Sequence, residues 1–136
     1  MKSRIVLLAI SFSILLFACS KSSYNSSTGG TTIDQAADWH ITLYTDSSKD
    51  ETSDFNGYLF SFGASNVLTA KRGAISTTGT WSQGATFNID LGAKSDSNKP
   101  LGELTDNWTI ISVTSTEIKL KDDNPANPES LTFTKN

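Results

Sequence analysis

From Trp39 onward, apolar and polar residues alternate singly in a series of short runs. WHITLY sets Trp39, Ile41 and Leu43 on one face and His40, Thr42 and Tyr44 on the other. GYLFSF aligns Tyr58, Phe60 and Phe62, and TFNIDL aligns Phe87, Ile89 and Leu91. NVLTAK, GTWSQ with Trp81, NWTIISV with Trp108 and Ile110, EIKLK with Ile118 and Leu120, and SLTFTK with Leu131 and Phe133 complete the series. A period of two is the signature of a pleated strand with one face buried, and the Thr, Ile, Phe and Trp content suits such strands.

The pattern predicts about eight strands. Their connections are rich in turn-forming residues: DSSKDETSDFNG, GAS, RGAISTTG, GAKSDSNKPLG and DDNPANPE,. One helical turn is expected near Pro100–Leu104, because proline tolerates an early helical position. Ile110 and Ile111 are adjacent and both apolar, so the alternation slips there, as at a β-bulge or a strand buried on both faces. Strands joined by short loops pair as antiparallel neighbours. Eight of them must hide their edges. An all-β, antiparallel up-and-down β-barrel is the expected fold, with a two-sheet β-sandwich as the alternative.

The N-terminus breaks this pattern. Lys2 and Arg4 precede an apolar stretch, Ile5 to Phe17, which is shorter than the roughly 20 residues that a membrane-spanning helix needs and matches the core of a signal peptide,. Leu16, Phe17 and Ala18 then lead into Cys19, the single cysteine of the chain. Leucine at −3, a small residue at −1 and a following cysteine resemble the lipobox of bacterial lipoproteins. That resemblance implies a signal peptide over 1–18, cleavage before Cys19, and acyl chains on Cys19 that anchor the protein to a membrane. Two or more chains on one residue suffice for stable anchoring. The segment to residue 35 is mostly Ser, Thr, Gly and Asn and reads as a tether; a flexible coil of about 15 residues reaches about 20–25 Å. A β domain is expected over 36–136.

Composition narrows the function. Formal net charge is −3, and the signal peptide carries off basic residues, so the remainder is more acidic still. No basic cluster interleaves with aromatics, which argues against nucleic acid as a partner. With Cys19 lipidated, no disulfide and no zinc site of N/S ligands is available within the chain. His40, the one histidine, falls on the polar side of its strand. The acidic loop Asp46, Asp50, Glu51 and Asp54 lacks the EF-hand spacing and reads as solvated. Asp122, Asp123 and Glu129, with Pro125 and Pro128, read as a stiffened hairpin connection. Asp90 and Glu117 lie on strands, and nothing in the sequence sets either beside a second acid, as glycoside hydrolysis requires. No catalytic residue, metal site or cofactor is expected.

Taken together, several motifs resemble the small lipocalin-like lipoproteins of Bacteroidota-type bacteria: Asp38-Trp39 on the first strand, the aromatic second strand, Gly79-Thr80-Trp81-Ser82, Leu101-x-x-Leu104 followed by Trp108, and Leu131-Thr132-Phe133-Thr134-Lys135. The match departs at Ala37, where lipocalins proper carry glycine. The resemblance implies a barrel whose interior accepts a small hydrophobic or amphipathic molecule, in a protein of the cell envelope at the periplasmic face of the outer membrane. Trp39, Tyr58, Phe60, Phe62, Trp81, Phe87 and Trp108 are the candidate ligand wall. They are also the candidate core, since each large apolar side chain that is fully buried returns about 1.5–3 kcal/mol. The alternative function is an envelope interaction module with a solid core, contacting protein or glycan through its outer surface.

Overall fold

The computed structural model describes residues 32–136; the expected signal peptide, Cys19 and the expected tether as far as residue 31 lie outside the described residues. The strands are β1 (Trp39–Asp46), β2 (Lys49–Asp50), β3 (Leu59–Phe62), β4 (Val67–Arg72), β5 (Ile75–Gln83), β6 (Phe87–Asp90), β7 (Asp106–Val113), β8 (Glu117–Lys121) and β9 (Glu129–Lys135). Each pairs antiparallel with its neighbour, and β1 pairs with both β3 and β9. The sheet therefore closes into an eight-stranded barrel, with the two-residue β2 as an extra strand folded back on the end of β1. Full closure removes both sheet edges. The up-and-down barrel, and not the sandwich, is the architecture.

The barrel axis is filled by the residues that alternation set inward. Phe60, Phe62, Leu68, Phe87, Ile89, Trp108, Ile118, Leu120, Leu131 and Phe133 are all buried. Each tryptophan lays its ring in this core and directs its indole N–H to a loop carbonyl. Trp39 donates to Asp34 O, Trp81 to Gly63 O and Trp108 to Leu104 O, at 3.3, 3.0 and 3.0 Å. Buried indoles need such a partner, and here the partners are the segments that cover the barrel ends. Ile33 is buried and Asp34 is paired with Lys135, so packing reaches into the segment read as tether.

Three local readings are corrected by the structure. The first is on β1. Ile41 pairs with Phe133 and Leu43 with Thr132, leaving Thr42 as the extra residue of a β-bulge. A bulge reverses the inward–outward phase beyond it. Leu43 is therefore turned out to 38% exposure, and Tyr44, expected on the polar face, is 1% exposed. The second concerns RGAISTTG, expected as a loop. Only Gly73 and Ala74 turn, between the paired residues Arg72 and Ile75, and the rest is β5. Gly73 has φ +61°, the left-handed value a two-residue hairpin turn needs at its first position. The Ser and Thr that suggested a loop are β-formers here because this stretch faces solvent; Ile75 itself is 71% exposed.

The third correction lies in DSSKDETSDFNG, which holds β2 and a single 3-10 turn, Thr52–Phe55, with Phe55 buried. The turn covers the stretch of β1 that β3 does not reach. The Tyr44 N–H donates to Thr52 Oγ1 at 2.9 Å and the Glu51 N–H to Tyr44 O at 2.9 Å, while the Tyr44 and Phe55 rings meet edge-to-face at 5.1 Å. Two expected irregularities are present. Leu101–Leu104 forms one 3-10 turn after Pro100, and β7 bulges between Ile110 and Ser112, which puts Ile111 outside at 57% exposure.

Candidate functional site

Chemistry gathers at one mouth of the barrel, where the antiparallel registers bring together the end of β1, the starts of β7 and β9, and the end of β8. Asp46 pairs with Glu129, Lys121 with Ser130 and Ile89 with Asp106. Two residues from a buried inward residue, the side chain again faces inward. Asp106 stands in that relation to Trp108, Asp122 to Leu120, Glu129 to Leu131 and Asp46 to Tyr44. The barrel therefore carries carboxylates on its inner face just beyond the aromatic core. Carboxylate oxygens of Asp106, Asp122 and Glu129 lie within 4.8 Å of one another, and all three side chains are half-buried.

One cation stands among them. The Lys94 ammonium donates to Asp106 Oδ2 at 2.8 Å and lies 3.9 Å from Glu129 Oε2, beyond hydrogen-bond reach. Burial opposes the charge of Lys94. The Asp106 hydrogen bond and the charges of Glu129, Asp106 and Glu103 overcome it and raise the Lys94 pKa. Asp106 behaves inversely. Burial works against its charge, while Lys94 and the Asn107 N–H hold its carboxyl below the usual range.

Glu129 is less well served. Its side chain is 12% exposed, and Oε2 is buried without a hydrogen-bond partner. Burial, with the negative charges of Asp46, Asp122 and Asp106, raises its pKa to about 7 against the pull of Lys94. The Tyr44 hydroxyl is a second buried polar group without a partner. Burial pushes its pKa upward, and among charges Glu129 acts on it most strongly, followed by Glu103. Beside it opens a cleft of about 260 Å³, lined by Tyr44, Glu51, Phe55, Lys99, Pro100 and Glu103.

The residues that the sequence singled out fall elsewhere. Trp39, Phe60, Phe62, Trp81, Phe87 and Trp108 are buried, and Tyr58 is half-buried at the rim under the Arg72 guanidinium, 4.6 Å from its ring centre. Phe62 is surrounded edge-on by Trp39, Trp81, Phe87 and Phe133, with ring centres 5.2 to 6.1 Å away. His40 sits half-buried opposite Thr134, with Nδ1 lacking a partner. Of the acidic loop, Lys49 and Glu51 form an ion pair, and Asp50 accepts from the Thr52 N–H at 2.9 Å; the Thr52 side chain first, and its N–H second, lower the Asp50 pKa. Asp90 accepts from the Gly92 N–H at 2.9 Å.

On the outer wall, a groove of about 490 Å³ runs over β3 and β4 past Leu59, Ser61, Thr69 and Lys71 to Asp38. Ser61 donates to Asp38 Oδ1 at 2.8 Å across it. Alternation does place the trio Asp106, Asp122 and Glu129 inward, if it is carried one step past each apolar run. Their meeting depends on registers between three strands, which the linear pattern does not contain. Compared with protein-family models, curated proteins and solved structures, the chain has no match.

Proposed function

We propose that the protein is a lipid-anchored component of the cell envelope, held through Cys19 at the periplasmic face of the outer membrane, whose lipocalin-like barrel acts by binding and not by catalysis. Its interior serves as core and its contacts with protein or glycan are made on the outer surface. The ring set around Phe62 carries this reading. Edge-to-face aromatic contacts at these separations contribute about 0.5–1.5 kcal/mol each beyond their buried area, and a ligand entering the axis would have to break several of them. The groove over β3 and β4, with mixed apolar and charged walls, is the surface best shaped for a partner. The contrary reading, a small apolar ligand among Trp39, Tyr58, Phe60, Phe62, Trp81, Phe87 and Trp108, requires those rings to part.

Titration of the soluble Thr32–Asn136 fragment with the apolar dye ANS, followed by fatty-acid competition, separates the two. We expect no stoichiometric binding. Saturable one-to-one binding that fatty acid displaces would reverse the reading in favour of an internal ligand. Anchoring is tested by mass spectrometry of the membrane-extracted chain, where acylated Cys19 is expected and an unmodified thiol would end the assignment.

A further inference from the structure

We propose that the first part of β5, from Ile75 to Gly79, pairs antiparallel with the same stretch of a second copy of this chain, across a two-fold axis at Thr77. This goes beyond the envelope reading and does not rest on it.

The strand β5 is longer than its neighbour. It pairs with β4 from Ile75 to Thr80, whereas β6 meets it only from Thr80 to Gln83. Closure of the barrel removes the ends of the sheet, but this step between strand lengths leaves a stretch of edge. The hairpin register says which groups the edge presents. A two-residue turn is closed by a hydrogen-bonded pair, here Arg72 and Ile75. Bonded pairs alternate along an antiparallel ladder, so Ile75, Thr77 and Gly79 spend their backbone groups on β4. The N–H and C=O of Ser76 and Thr78 point off the other side.

Continuing the β6 ladder would bring Gly92 against Thr78. Gly92 has left it. Its N–H donates to Asp90 Oδ1 at 2.9 Å, and its carbonyl accepts from Thr105 Oγ1 at 2.7 Å. Leu91 turns in over the inner side of Gly79, where a Cβ would lie 3.1 Å from the Leu91 Cα. Ser76 and Thr78 are exposed, and among the described residues no loop or turn bond reaches their backbone. Exposed edges are normally guarded by lysine, proline or a bulge. The run Ile75-Ser76-Thr77-Thr78 carries no such guard and pairs in unbroken register with β4.

Register selects the occupant. A two-fold axis at Thr77 sets Ser76 opposite Thr78 of the second copy, and Thr78 opposite its Ser76. Each such pair exchanges both its bonds, which uses every freed backbone group in the two copies. Ile75, 71% exposed, then lies opposite Gly79, which has no side chain to obstruct it. The pairing stops at Thr80, where β6 takes over. Charge agrees: Lys71 and Arg72, beside Ser76 and Ile75, are carried toward the end where Asp90 closes β6 of the other copy. A foreign strand would draw its specificity from pockets for alternate side chains, and Ser76 and Thr78 form none. A self-complementary edge needs none.

The test uses the full chain in non-ionic detergent, carrying Cys19→Ser so that a cysteine placed on β5 is the only thiol. Thr77→Cys puts it on the axis. Ser82→Cys puts it on the same strand where β6 covers the edge, at a more exposed position. Under mild oxidation Thr77→Cys is expected to form the disulfide-linked dimer about tenfold or more faster, because only that position meets the close spacing a disulfide requires. Adding Thr78→Pro removes the N–H that would cross between copies and leaves the bonds to β4, so it should slow the linkage by about tenfold. Should the proline variant fold poorly, the contrast between positions 77 and 82 still decides. Equal rates at the two positions would mark chance collision and overturn the proposal. Linkage that Thr78→Pro leaves unchanged, in a chain with native circular dichroism, would place the contact elsewhere and overturn it equally.

Discussion

The carboxylate of Asp34 meets the ammonium of Lys135 at 2.7 Å, 101 positions apart in the chain. The pair fastens the segment before β1 to the last residue of β9, beside the Asp34 carbonyl that receives the Trp39 indole N–H. The Lys135 hydrogen bond comes first among the causes that depress the Asp34 pKa below its ordinary 3.8, followed by the Ala36 N–H. A carboxylate whose folded pKa is depressed adds stability above its unfolded pKa and loses it as pH falls through the folded value. The difference in melting temperature between wild type and Asp34→Asn is therefore expected to be constant near neutrality and to vanish as the solution is acidified below 3.8. Melting curves in a pH series check it. A difference that persists unchanged at the acid end would show that the ion pair is not its source.

Phe62 stands at the centre of the aromatic core, and Ile111 is put outside by the β7 bulge, although both are apolar residues on strands. Phe62→Ala should lower unfolding free energy by about 3–5 kcal/mol. Ile111→Thr should stay within about 0.5 kcal/mol. Urea unfolding of both variants measures the contrast, and similar losses at the two positions would contradict the bulge.

A Cβ at Gly79 would collide with the backbone carbonyl oxygen of Asp90 on β6, whereas one at Gly84 meets nothing. Backbone cannot yield as a flexible side chain can. Gly79→Ala is thus expected to cost about 1–3 kcal/mol. Gly84→Ala should be neutral or stabilise by up to about 1 kcal/mol. Thermal unfolding of the two alanine variants distinguishes them directly.

The Tyr44 hydroxyl is buried without a hydrogen-bond partner. Tyr44→Phe deletes that polar group while keeping the ring against Phe55 and should stabilise by about 1 kcal/mol. Denaturant midpoints of the variant and the wild type give the answer. A clear loss of stability would mean that the hydroxyl is satisfied in solution.

Much of this molecule follows from residue order alone. Alternation is a local property of the pleated chain, so Phe60–Phe62, Phe87–Ile89–Leu91, Ile118–Leu120 and Leu131–Phe133 could be set inward before any partner strand was known. The adjacency of Ile110 and Ile111 marked the β7 bulge for the same reason. The Thr42 bulge left no such trace, because the Thr of an alternating run looks like any other outward residue, and its extra position exists only relative to β9. That one offset decided that Tyr44, not Leu43, would enter the core. The composition of DSSKDETSDFNG hid Phe55, whose burial depends on the gap that the short β1–β3 pairing leaves beside Tyr44. The acidic mouth is wholly a product of tertiary structure. Asp106 and Glu129 open β7 and β9 and Asp122 follows β8, so only the closed barrel with its fixed registers brings their like charges together, around the Lys94 ammonium that offsets part of their repulsion,.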